Sequence, residues 1–213
     1  MAWLDLRREG RPARPSQRPF GRDLPGAARG HLGLRRVARA MTRSPWGREY
    51  ARRPNEYVWG REPSAFAGRV SALLRVGAHV LELGCGEGRD SVFFATLGCD
   101  VTGVDLSAAG LEKARRLARE HGVQVCWVLG DAARGALPDP FDLVYSCGAI
   151  HYVPRRERAH LFPRLKKLTA PGGHHAHLVF TDREIYVEKG EVIDYFAPGE
   201  LAQAYADWLI VRR

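Results

Sequence analysis

Between residues 82 and 88 the chain reads E-L-G-C-G-E-G, an acid followed by glycines at every second position. Glycine adopts backbone conformations closed to other residues and lets a ligand approach the main chain. Gly84, Gly86 and Gly88 therefore predict a tight, ligand-facing turn between a strand and a helix. Asp105 follows Gly84 by 21 residues. A carboxylate at the tip of the next strand can accept both hydroxyls of a ribose. The dinucleotide fingerprint G-x-G-x-x-G is not met, because the third glycine comes one position early and leaves the loop poorly matched to a pyrophosphate. Glu82 lies inside the strand that feeds the turn, placed to organise a cationic or amine-bearing ligand.

Other chemistry-bearing side chains are more scattered. His151 and Tyr152 follow the fourth strand-like run, where His151 reads as a base, as a group orienting an oxyanion, or as a packing histidine. In "GGHHAHLVF", His175 and His177 share one strand face and His174 points to the other. No carboxylate or cysteine joins them at a familiar spacing, so no metal site is expected, and the histidines are read as capping the strand entrance opposite the ligand. Cys85, Cys99, Cys126 and Cys147 form no C-x-x-C pair. They read as reduced core thiols of a cytoplasmic protein.

The elements that must position these groups alternate along the chain. Ser64 caps a helix to about residue 76, and "HVLELGCG" is a strand running into the glycines. A short helix spans about 90–97, and "DVTGVDLS" is the second strand. Ser107 caps a helix to about residue 121, with Leu111, Ala114 and Leu117 inward. "QVCWVLGD", "FDLVYSCGAIHY" and "HHAHLVFTD" supply the third, fourth and fifth strands. A helix over about 155–169 precedes the fifth, and Pro163 should kink it or mark a helix start. Short apolar strands alternating with helices signify a doubly wound, Rossmann-like α/β fold, its mostly parallel sheet covered on both faces.

Charge divides the chain. Residues 1–40 hold ten arginines against Asp5, Glu9 and Asp23, which is +7 of the total +9, leaving +2 for residues 41–213. The leader is rich in Arg, Pro and Gly without a sustained period, so it is expected to be disordered, and the native start is read as Met41. A near-neutral folding part argues against a nucleic-acid partner. No apolar run approaches the ~18 residues that span a bilayer.

The glycine stretch and its acid resemble the first motifs of class I S-adenosylmethionine-dependent methyltransferases, over about residues 45–213. "YVWGREPSAF", "SCGAIHYV" and "DYFAPGELAQAYADW" are similar to the tellurite-resistance and thiopurine types. The resemblance implies S-adenosylmethionine as cofactor and a small-molecule acceptor, with a soft sulfur, selenium or tellurium centre favoured. It implies Gly84, Cys85 and Gly86 along the methionine part, with Glu82 supporting it, and Asp105 on the ribose. Leu106 would lie against the adenine, Asp131 and Ala132 at its edge, and Ser146 and Cys147 beside the methyl group. A lid over about 45–63 would bring Tyr57 and Trp59 to the sulfonium, where an aromatic face attracts a cation. Alternatively these two rings staple the first helix onto the core.

The Asn/Asp-Pro-Pro-aromatic motif of base and amide methylation is absent, its place taken by "SCGAIHY". Class I sheets close with two further strands, and only "DWLIVRR" offers one. An open edge beside the fifth strand is therefore expected, covered by a partner or a second copy. Two rival functions follow: a nucleic-acid-modifying enzyme whose basic leader grips phosphates, and a truncated cofactor-binding remnant without activity.

Overall fold

The computed structural model describes residues 2–7, 45–134, 137, 140–181, 187–188 and 191–212. Its centre is a seven-stranded sheet of β1 (Ala2–Arg7), β2 (His79–Leu83), β3 (Asp100–Asp105), β4 (Cys126–Leu129), β5 (Phe141–Cys147), β6 (Thr169–Val179) and β9 (Leu209–Arg212). The spatial order is β4-β3-β2-β5-β6-β1-β9. From β4 to β6 all neighbours are parallel, and β1 runs antiparallel to both β6 and β9. A separate two-stranded ribbon pairs β7 (Val187–Glu188) with β8 (Glu191–Val192).

A parallel sheet is covered on both faces, and β2 from Val80 to Leu83 and β3 from Val101 to Val104 are buried at every residue. On β2, Val80 packs with Phe66, Val70 and Phe94 on one face, while Leu81 and Leu83 meet Leu161, Phe162 and Leu165 on the other. The covering helices are α1 (Pro45–Arg52), α2 (Ala65–Val70), α3 (Arg89–Thr96), α4 (Ala108–Glu120), α5 (Arg155–Lys167) and α6 (Glu200–Ala204). Ser64 and Ser107 cap α2 and α4 by accepting from the main-chain N–H of Ala67 and Gly110. The first of these helices is shorter than its apolar pattern implies, passing into a 3-10 turn over Ser71–Leu73. Pro163 lies within α5, which continues through it, so it does not start a helix.

The structure corrects the expectation for the chain's beginning. Residues 2–7 are not disordered. They form β1, which lies before position 41 and pairs with β6 from Ala2 against Val179 to Arg7 against His174. The edge expected to lie open beside the fifth strand is therefore paired, and the reason for invoking a second copy there is gone. The rest of the leader, and the choice of Met41 as a start, lie outside the described residues. Among those described, no helix is long and apolar enough to cross a membrane.

Candidate cofactor and acceptor site

The parallel strands end together, as ligand sites of doubly wound sheets require. Gly84 and Cys85 both donate their N–H to the carbonyl of Val104, and Gly130 N–H to that of Asp105. At this edge lies a cavity of 360 Å³. Gly84 has φ +67° and Gly86 φ +54°, and a Cβ would come 2.4 Å from that of Ala149 or 2.7 Å from the Tyr50 hydroxyl. Only glycine fits both the conformation and the space. Asp105 holds the turn in place: its Oδ2 accepts from Gly86 N–H at 2.8 Å and its Oδ1 from Ser107 N–H at 2.7 Å.

Five acids line the cavity: Glu82, Glu87, Asp90, Asp105 and Asp131. Burial pushes the Glu82 carboxyl well above the usual carboxylate range, and the neighbouring Asp90 raises it further. Burial also raises Asp105, against the lowering effect of its bonds from the main chain. Asp90 is held by Ser64, which donates through its N–H at 2.7 Å and its hydroxyl at 2.8 Å, and by the Tyr145 hydroxyl at 2.7 Å. A desolvated acidic cluster of this kind favours a cationic or amine-bearing ligand. Aromatic rings close the other side. Trp46 stands 5.0 Å from Trp59, 5.9 Å from Tyr50 and 6.4 Å from Tyr152, centroid to centroid.

Of the residues singled out in the sequence, Glu82, Gly84, Cys85, Gly86, Asp105, Leu106, Asp131, Ala132, Cys147, Tyr152 and Trp59 line the cavity. Gly88, Tyr57, Ser146 and His151 do not. A Cβ on Gly88 would meet Ala114 and Trp127, so this glycine serves helix-to-strand packing. Tyr57 sits on α4, donating its hydroxyl to the Lys113 carbonyl at 3.1 Å, and packs with Val92 and Leu117. The two aromatic residues of "YVWG" thus divide the alternatives: Tyr57 staples and Trp59 forms wall. His151 is fully buried one layer behind, its ring 4.4 Å from that of Tyr152 and 5.0 Å from that of Phe180. Neither of its ring nitrogens has a partner among the described residues. Burial, with Arg158 nearby, lowers its pKa to about 4.

Ser146 faces away from the cavity because it begins a buried chain of hydrogen bonds. The far end sets its direction. Thr169 donates its hydroxyl to the Leu165 carbonyl at 2.8 Å, so it accepts from His175 Nε2 at 2.6 Å. For a neutral His175, Nδ1 accepts from the Tyr205 hydroxyl at 2.6 Å, and Tyr205 accepts from His177 Nε2 at 3.0 Å. His177 Nδ1 in turn accepts from Ser146 at 2.9 Å. Burial keeps the His177 ring neutral at pH 7. The histidines do not cap a strand entrance; they tie the middle of β6 to β5 and Tyr205.

Sequence reasoning missed Trp46, Tyr50, Glu87 and Asp90. Trp46 and Tyr50 stand four apart in "PWGREY", the spacing of one helical face. Asp90 sits in the first turn of α3, where an acid is favoured by the helix dipole.

A protein-family description, "Methyltransferase domain", matches residues 80–173 of this chain. That match spans less than half of the chain, from β2 into β6, and includes the glycine turn and Asp105. Over 100 residues the chain is 37% identical to the ubiquinone biosynthesis O-methyltransferase of Pectobacterium carotovorum, covering 46% of this chain and 41% of that one. This chain therefore spans about two-fifths of that relative's length. TehB from Haemophilus influenzae superposes with a TM-score of 0.63 at 21% identity, over 70% of this chain and 52% of that chain. The 1,6-didemethyltoxoflavin-N1-methyltransferase of Burkholderia thailandensis, solved with 1,6-didemethyltoxoflavin and S-adenosylhomocysteine, gives 0.61 at 24% identity, over 87% and 80%. At these identities both structures speak to the fold alone.

Proposed function

We propose that the chain transfers a methyl group from S-adenosylmethionine to a small-molecule nucleophile, a soft sulfur, selenium or tellurium centre favoured. The observation that carries this is the glycine cradle at residues 84–86 bound to Asp105 and set against an acidic, aromatic-walled cavity. The residues present fit the cofactor. Asp105 would take the ribose hydroxyls, and Glu82 the methionine amino group, directly or through water. Leu106, Asp131 and Ala132 would hold the adenine, and Cys147, Trp59 and Tyr152 would border the transferred methyl. When bound, S-adenosylmethionine supplies an electrophilic methyl group on a sulfonium.

The chain's own task is to align acceptor and methyl carbon and to exclude water. Trp46, Tyr50 and Trp59 supply the apolar wall for this. A base is needed only where the nucleophile carries a proton at working pH. Among the described residues lining the cavity the side chains able to take a proton are carboxylates and not histidines, and an acceptor already anionic, as a thiolate or selenolate is, needs neither. Burial raises the pKa of the Cys147 thiol, so it serves as wall and not as nucleophile. His151, neutral at pH 7, packs behind Tyr152 with the rings 4.4 Å apart and would act by positioning that ring.

Calorimetry with S-adenosylmethionine, followed by methyl-transfer screening against thiols, selenols, tellurite and hydroxylated aromatics, tests this. Transfer to the soft acceptors is expected, and transfer confined to hydroxyl acceptors would overturn the preference. His151→Ala should lower methyl transfer more than cofactor affinity. Equal turnover in that variant removes His151 from the mechanism.

A further inference from the structure

The apolar stripe of α4 carries a lysine. Lys113 lies three residues after Gly110 and four before Leu117, both buried, and is itself 3% exposed. Its ammonium donates to Glu87 Oε1 and to the Glu56 carbonyl, each at 2.7 Å, and stands 5.5 Å from the centre of the Tyr50 ring. Glu87, equally buried, belongs to the glycine turn and lines the cavity. Its second oxygen accepts the Trp59 N–H at 3.3 Å. One buried ammonium thus joins α4, the glycine turn, the strap from residue 53 to 64, and α1.

A buried ion pair stabilises a fold no better than well-packed apolar groups of the same volume, and often less well. The surrounding stripe of Leu111, Ala114, Leu117 and Ala118 shows that α4 otherwise packs by apolar contact. What the pair adds is geometry: a fixed charge aimed at one main-chain carbonyl of the strap. Arg89 reinforces it from the other side by donating to the Trp59 carbonyl at 2.7 Å.

We propose that Lys113 is a positioning residue for the cofactor site. By clasping the strap at Glu56 and fixing Glu87, it holds Trp59 and Tyr50 against the cavity before any ligand arrives. The strap then costs little further ordering when the site fills. The inference rests on the reading of the cavity as the S-adenosylmethionine site.

Lys113→Met alone leaves Glu87 buried without its counter-charge and is liable to misfold. The pair Lys113→Met with Glu87→Gln leaves no orphan charge, keeps an acceptor for Trp59, and removes the bond to Glu56. Hydrogen–deuterium exchange of this variant and of the unaltered protein is the first measurement. Residues 53–60 should exchange roughly tenfold faster in the variant while β2 and β3 are unchanged, which marks local opening as distinct from global loosening. Calorimetry is the second, with S-adenosylmethionine affinity expected to fall by about tenfold. Unchanged exchange at 53–60, a rise shared by the whole chain, or unaltered affinity overturns the clasp. An unaltered protein that binds no S-adenosylmethionine overturns the cavity reading and the cofactor role of Lys113 with it, while exchange at 53–60 still decides whether the strap is clasped.

Discussion

Glu82 and Asp105 differ from surface carboxylates in what surrounds them. Burial raises both, and Glu82 additionally faces Asp90 and accepts a hydrogen bond from the Ser91 hydroxyl. To pair with an amine, Glu82 must give up a proton that it holds above the ordinary carboxylate range. Binding of S-adenosylmethionine should therefore release a proton and weaken as pH falls through the raised pKa of Glu82. Calorimetry in buffers of different ionisation enthalpy checks this, and Glu82→Gln should flatten the dependence. Asp105→Asn is expected to cost roughly 10- to 100-fold in affinity, the worth of a charge-assisted hydrogen bond of ~1.5–3 kcal/mol. The glycines and these two acids were legible because each answers to a local rule: backbone close approach, or a carboxylate at a strand tip. Ser146 was not, because the direction its hydroxyl faces is set by His177 on another strand.

At the scale of elements, the chain of hydrogen bonds from Ser146 to Thr169 runs through His177, an imidazole without charge at pH 7. Burial lowers the His177 pKa to about 3, against ~6.5 for an unfolded histidine. Between those values the unfolded chain takes up a proton that the folded chain refuses. The contribution is complete above the unfolded pKa and is lost as pH falls, by up to about 1.4 kcal/mol per pH unit. His151, at about 4, adds to the same trend. Urea unfolding at pH 7 and pH 5 should show the loss, and His177→Gln should be less stable at pH 7 yet less sensitive to the change. A pH slope identical to that of the unaltered protein would contradict the neutral His177 ring. The parallel strands and capped helices could be read in advance because apolar runs bounded by Ser caps and glycines are local signals. Lys113 left a legible mark as well, a charge on an apolar helical stripe, but its partners at Glu56 and Glu87 come from packing.

For the whole molecule, the least legible feature is β1. Its six residues lie in an Arg-, Pro- and Gly-rich stretch, and their partners on β6 and β9 are distant in sequence, so no local pattern announces them. Because β1 has a neighbour on each side, a proline within it removes a ladder bond. Leu6→Pro should lower stability by ~1–3 kcal/mol, the cost of an acceptor left without its donor, and expose the β6 edge to association. Unchanged melting and size would place β1 outside the sheet. The strand closes the layer that holds β5 and β6 in register, and those strands present Cys147 and Leu178 to the cavity. Fold and site therefore meet in one question: whether the glycine cradle and its carboxylate grip the adenosyl cofactor. The most direct measurement is titration of the intact chain, and of its Asp105→Asn variant, with S-adenosylmethionine. We expect saturable one-to-one binding that is weakened at least about tenfold in the variant. Folded protein that binds nothing at millimolar concentration, or a variant that binds equally well, would contradict it.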